Sequence, residues 1–245
     1  MKTGLILVAV LFAQAFDVAS VKRSAPDNPN GSTFEYTTGG GLRVLNGTLR
    51  GLIESAYDVR DFQVTGGPAW LTADRYDVVA RSEPSDPAAS RADDMKATRL
   101  KLQMLLADRF KLTVHREMRE LQEYALVTDK KGPKLVVATA ADAASGRTGI
   151  QSNACHMTAT QASPTNLAFV LSRRLQRPVV DRTGLTERYN FQLDWSSDVA
   201  RCEDANENAP SIFTALQEQL GLKLDPIKGL VETIVVERAE RPSDD

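Results

Sequence analysis

Cysteine and histidine occur just twice each in 245 residues. That scarcity excludes a disulfide-dense scaffold and most metal centres built from imidazole and thiolate, leaving a carboxylate-rich ion site as the open metal option. An excess of either charge is also missing: 30 Lys plus Arg face 32 Asp plus Glu, a net charge of -2. Such a chain has no long-range field to draw in nucleic acid or an anionic membrane. Past residue 13 no segment is apolar over the length a spanning helix needs. There is no Gly-x-Ser-x-Gly elbow, P-loop or dinucleotide fingerprint, so no cofactor is expected. What remains is ordinary globular composition, 42% hydrophobic and 25% charged, enough for one large domain or two small ones.

The N-terminus points to export. Lys2 precedes an unbroken apolar run, Leu5 to Ala13, and Ala13-Gln14-Ala15 has the small-x-small form that signal peptidase reads. The run is about half the roughly 20 residues of a membrane anchor. Residues 1–15 are therefore expected to be a signal peptide, with Phe16 the first mature residue and the product periplasmic or extracellular.

Along the rest of the chain one order of elements occurs twice. Phe16 to Val21, Phe34 to Tyr36 and Leu42 to Leu45 alternate as strands, Gly39-Gly40-Gly41 marks a turn, and Thr48 caps a helix whose apolar positions are Leu49, Leu52, Ile53, Ala56 and Tyr57. Strands at Phe62 to Thr65 and Tyr76 to Ala80, a helix ending near Arg109, and strands at Phe110 to Val114, Tyr124 to Thr128 and Leu135 to Val137 follow. Residues 139–149 read as a linker between units 16–138 and 150–245. The second unit is expected to hold a strand at Gln151 to Met157, a helix to Gln176, strands at Val179 to Asp181 and Tyr189 to Trp195, a helix at Ser211 to Leu220, and strands at Leu222 to Asp225 and Val231 to Glu237. Two echoes accompany this order. Leu71-Thr-Ala-Asp-Arg-Tyr-Asp-Val78 resembles Leu185-Thr-Glu-Arg-Tyr-Asn-Phe191, and Leu102-Gln103 with Leu105 and Lys111-Leu112 resembles Leu216-Gln217 with Leu220 and Lys223-Leu224. The expected fold is α+β, a tandem duplication of a strand-helix-strand-strand-helix-strand-strand unit.

Several motifs together resemble an uncharacterised family of exported, soil-associated proteins with a domain of unknown function. They are Phe16-Asp-Val-Ala-Ser-Val-Lys22, Gly66-Gly-Pro-Ala-Trp-Leu-Thr-Ala-Asp-Arg-Tyr-Asp77, Leu105-Leu-Ala-Asp-Arg-Phe-Lys-Leu112, Arg177-Pro-Val-Val-Asp-Arg-Thr-Gly-Leu185, and Leu216 to Leu224 with Val235 to Pro242. Each half, Asn166 to Glu237 most clearly, is also similar to the secretin and TonB N-terminal domain. That likeness implies a periplasmic docking role and no transport of its own.

No convincing catalytic set is visible. Asp181 in Val179-Val-Asp-Arg-Thr-Gly184 lacks a second carboxylate in the matching stretch and reads as a turn or cap residue. Cys155 and His156 are neighbours, so in a strand they point to opposite faces; His115 is a candidate external base but reads first as a half-buried strand histidine. Asp198, Glu203, Asp204 and Glu207 lack calcium-loop order and read as a solvated loop. Trp70 and Trp195 are either sugar platforms or packed side chains, and Arg173, Arg174 and Arg177 form either a basic patch or a solvated helix end. Cys155 and Cys202, bound for an oxidising compartment, are expected to be joined. The leading function is a non-enzymatic docking module for an envelope protein, using an open strand edge such as Leu42 to Leu45 or Gln151 to Met157. The alternative is an envelope hydrolase or a glycan-binding protein.

Overall fold

A computed structural model describes residues 15–25, 31–37, 39–82, 90–144, 148–196 and 209–243. The chain forms two compact units: the described residues up to Met118 with those from Glu232 onward, and Arg119–Val231. The fold is α+β. In chain order the elements are β1 (Val18–Arg23), β2 (Thr33–Thr37), β3 (Gly41–Thr48), α1 (Leu49–Tyr57), β4 (Val64–Gly66), α2 (Trp70–Ala73), β5 (Arg75–Arg81), α3 (Arg91–Arg109) and β6 (Thr113–Thr128). There follow β7 (Val136–Val137), α4 (Ala140–Ala144), β8 (Gly149–Ser152), β9 (His156–Ala162), α5 (Pro164–Leu175), β10 (Val179–Asp181), β11 (Tyr189–Asp194), α6 (Ile212–Ala215), a π turn (Leu216–Leu220) and β12 (Leu222–Arg238).

The first unit has an antiparallel sheet in the order β1-β5-β3-β2. The second has one in the order β7-β11-β9-β8. In the first unit β4 pairs in parallel with β12, Val64 opposite Ile234; in the second β10 pairs in parallel with β6, Val179 opposite Tyr124. Each unit has its own core. Leu49, Leu52, Ile53, Tyr76, Leu102, Leu106 and Phe110 anchor the first, and Met157, Leu167, Leu171, Leu193, Leu216 and Leu222 the second. Burying each large apolar side chain is worth about 1.5–3 kcal/mol.

Corresponding helices begin in the same way. The Thr48 hydroxyl accepts from Gly51 N–H and opens α1; the Ser163 hydroxyl accepts from Asn166 N–H and opens α5, with Pro164 just inside. Two residues before each cap the backbone turns left-handed, at Asn46 (φ 54°) and Gln161 (φ 49°). The echoed tripeptides hold these strained positions. Asp77 Oδ1 accepts the Asn46 N–H at 2.8 Å and Arg75 Nη1 donates to the Asn46 carbonyl at 3.2 Å. Asn190 Oδ1 accepts the Gln161 N–H at 2.9 Å and Arg188 Nη1 donates to the Gln161 carbonyl at 3.0 Å. Tyr76 and Tyr189 between them are buried.

Several expectations are corrected. Leu42 to Leu45 is not an edge, because β3 lies between β5 and β2. Gln151 to Met157 is not one strand: β8 ends at Ser152, a turn follows, and β9 lies inside the sheet. Alternation reports a buried face and is silent on which neighbours flank a strand. Phe110 and Leu112 are buried ahead of β6, which runs unbroken through the two strands expected at Val114 and at Tyr124. Residues 139–149 lie within the second unit and include α4. The second helix echo is offset by two residues: the left-handed residue closing the helical segment is Lys111 (φ 47°) in the first unit and Gly221 (φ 63°) in the second.

Candidate functional site

The tryptophans are both engaged. In the first unit Trp70 is half-buried in α2, with the Arg241 guanidinium 5.1 Å from its ring centre. Arg241 Nε donates to Asp74 at 2.7 Å, and Arg23 lies 3.1 Å from the same carboxylate. The hydrogen bond from Arg241 is the main cause holding the Asp74 carboxyl below its ordinary value. In the second unit Trp195 is 3% exposed and Arg174 stacks on it at 4.5 Å. Burial leaves Trp195 no bare face for a sugar, and a guanidinium occupies one face of Trp70.

The three arginines expected as a patch do different work. Arg174 donates to the Ala154 carbonyl at 2.9 Å and also reaches Ser152 and Asn153, pinning the β8–β9 turn. Burial lowers the proton affinity of its guanidinium. Arg177 lies over the Tyr124 ring and donates to its hydroxyl at 3.2 Å, while Tyr124 meets Phe213 edge-on. Arg173 is exposed on the last turn of α5. Asp181 ends β10 and its carboxylate holds the turn that follows: Oδ1 accepts from Thr183 N–H at 3.0 Å and from its hydroxyl at 2.8 Å.

Cys155 is buried whereas the His156 side chain is 41% exposed, so they are not a catalytic pair. Cys202 and the acidic cluster Asp198, Glu203, Asp204 and Glu207 lie outside the described residues, as does the apolar run Leu5 to Ala13. His115, in the first unit, bonds Glu237 at 2.7 Å on an exposed strand.

A constellation that the sequence did not reveal is centred on His156. Its Nδ1 lies 2.5 Å from Asp194 Oδ1 and its Nε2 lies 2.7 Å from Thr158 Oγ1. His156 and Thr158 share a face of β9 as residues i and i+2, and the ladder sets Asp194 opposite His156. Asp194 is itself held by the π turn. Gln219 accepts from Asp194 N–H at 2.9 Å and donates to its carbonyl at 2.7 Å, sealing that stretch of strand edge with a side chain. The i, i+2 spacing of His156 and Thr158 was readable in the sequence. Asp194, 38 residues from His156, comes only with the register.

Residues 50–239 match the family described as "Protein of unknown function (DUF3738)". The chain belongs to that family. No curated protein matches it, and no solved structure does. The DUF3738 segment includes the whole His156 constellation and both echoed tripeptides, Arg75-Tyr76-Asp77 and Arg188-Tyr189-Asn190, while Asn46 lies just before it. No group of three or more metal-ligating side chains occurs among the described residues, and no helix among them is long and apolar enough to cross a membrane.

Proposed function

We propose that this DUF3738 protein is an exported docking module of the cell envelope, built by tandem duplication, that receives an extended segment of a protein partner at the outer edge of β2. The carrying observation is the character of that edge. Thr33-Phe34-Glu35-Tyr36-Thr37 is rich in β-branched and aromatic residues, bears one charge and no proline, and is paired on one side among the described residues. Protected edges usually carry lysine, proline or a bulge. Phe34, 37% exposed, lies against the start of α1: side chains at Gly47 and Gly51 would stand 3.3 and 3.2 Å from its Cζ. A partner strand could therefore add backbone hydrogen bonds beside a ready apolar contact. The resemblance to the secretin and TonB N-terminal domain read from the sequence of each half is in keeping with this proposal, and the matching Arg75–Asp77 and Arg188–Asn190 contacts support duplication.

A photo-crosslinking residue at Thr33 or Thr37 is expected to capture a discrete envelope protein in cells. Adding Phe34→Asp should abolish capture while circular dichroism stays unchanged. Equal capture from a crosslinker at Val79, on the open sheet face, would remove the edge reading. The alternative of an envelope hydrolase is favoured by the His156 constellation; glycan binding at Trp195 is disfavoured by the burial of its ring.

Export carries its own expected result. Intact mass of the protein from the envelope or medium should correspond to a chain beginning at Phe16 and lacking the two hydrogens lost in a Cys155–Cys202 disulfide. That bond would stabilise the second unit by about 4 kcal/mol in the chain-entropy account. A cytosolic product retaining Met1, or two alkylatable thiols in exported protein, would contradict the respective part.

A further inference from the structure

We propose that Thr158, His156 and Asp194 form an acyl-transfer site that hydrolyses carboxylic esters on the open face of the second unit's sheet. The site is independent of the β2 edge, so failure of either reading leaves the other standing. Asp194 is a carboxylate acceptor, which assigns the proton of neutral His156 to Nδ1 and leaves Nε2 an acceptor; the Thr158 hydroxyl then donates to it at 2.7 Å. This is the order of roles in a hydroxyl nucleophile, its general base and the carboxylate that orients the base. The backbone that carries the orienting carboxylate is held in place, because both backbone groups of Asp194 are tied to Gln219. The neighbours of Thr158 supply the remaining need. Gln151 on β8 and Gln192 on β11 stand directly opposite Thr158 in their ladders, so the three share one face. Both glutamines are exposed, and their carboxamide N–H groups are suited to a developing oxyanion beside the hydroxyl.

In the first half-reaction Thr158 Oγ1 bonds to the ester carbonyl carbon while its proton passes to His156 Nε2. The bond from that carbon to the alkoxy oxygen breaks, and the departing oxygen takes the proton as an alcohol. Water then attacks the acyl-threonine, giving its proton through His156 to Thr158 Oγ1 and releasing the acid. An ester fits better than an amide, because side-chain donors on a water-exposed face stabilise an oxyanion less than a closed pocket, and an alcohol leaves more easily than an amine.

The test uses the full mature chain with p-nitrophenyl acetate. Acetylation of Thr158, located by peptide mass spectrometry, is expected, with release of nitrophenol slowed by on the order of 10²–10⁴ in His156→Ala. Thr158→Val should remove both adduct and turnover, and Thr158→Ser should retain them. For the positioning residue Asp194, the Asn variant is expected to lower the rate and displace the acid limb of the pH–rate profile. Absence of an adduct at Thr158 in folded protein, or an unchanged rate in His156→Ala, overturns the proposal.

Discussion

Tyr76→Ala is expected to lower the stability of the first unit by about 3–5 kcal/mol, the usual range for truncating a buried aromatic side chain. Tyr76 is 2% exposed and meets Phe110 edge-on, ring centres 5.0 Å apart at 89°. Burial is the leading cause that lifts its hydroxyl above the ordinary tyrosine value. The loss goes beyond the ring, because the same strand carries the clamp on Asn46. Tyr76→Phe keeps the packing but gives up the hydroxyl's hydrogen bond with Asp74, and should cost about 0.5–1.5 kcal/mol. Asp77→Asn should be close to neutral, since the second unit places Asn190 in the same role with the same Oδ1 contact. Asp77→Ala, in contrast, strands the Asn46 N–H and the buried Ser24 hydroxyl that donates to Asp77 at 2.7 Å, at about 1–3 kcal/mol each. Urea denaturation followed by tyrosine and tryptophan signals reads all four. A Tyr76→Ala midpoint within error of the parent would show that this ring is not a pillar of the core.

At the end of the π turn, Gly221→Val is expected to cost the second unit about 2–5 kcal/mol, and Lys111→Gly to stabilise the first by about 0.5–1 kcal/mol. Gly221 has φ of 63°, where an ordinary side chain is penalised by about 1–2 kcal/mol. Space is also lacking: a Cβ there would run into the Gly132 carbonyl oxygen and stand 3.1 Å from Lys134 N. The neighbouring backbone cannot retreat freely, because Asp129 N–H bonds the Gly221 carbonyl and Lys134 N–H the Leu220 carbonyl, both at 2.8 Å. Overpacking adds about 1–3 kcal/mol. Lys111 occupies the corresponding left-handed position with a side chain exposed to solvent, so glycine there relieves strain without leaving a hole. Opposite signs at the two positions, measured by thermal and urea unfolding, are the distinguishing result. A stabilised Gly221→Val would refute the steric account.

What the sequence made legible depended on how local the determinant was. The start of α1 is written in Thr48 and the spacing of Leu49, Leu52, Ile53 and Ala56, all of which the helix uses. The Arg-Tyr-Asp and Arg-Tyr-Asn echo was visible as a likeness, yet its role required Asn46 and Gln161, which are distant in sequence. β6 escaped as a single strand because His115 to Met118 is exposed throughout and shows no alternation of apolar residues. β12 contains Pro226 and Gly229, ordinarily strand breakers. Gly229 has a specific reason: a Cβ there would occupy the place of the Glu123 carboxylate, a side chain 5% exposed. The His156 constellation was half legible, in the spacing of His156 and Thr158 on one face, and half hidden, in a register that no local pattern encodes.

The parallel pairing of β4 with β12 sets a timetable for the chain. Val64 finds its partner at Ile234, and the Gln63 side chain reaches the Glu232 carbonyl across 169 residues. A nascent chain holding every earlier residue of the first unit still lacks the strand that lies alongside β4. Closing a contact so far apart in sequence is entropically slow. The N-terminal unit is thus the last to be finished although it is the first to be made.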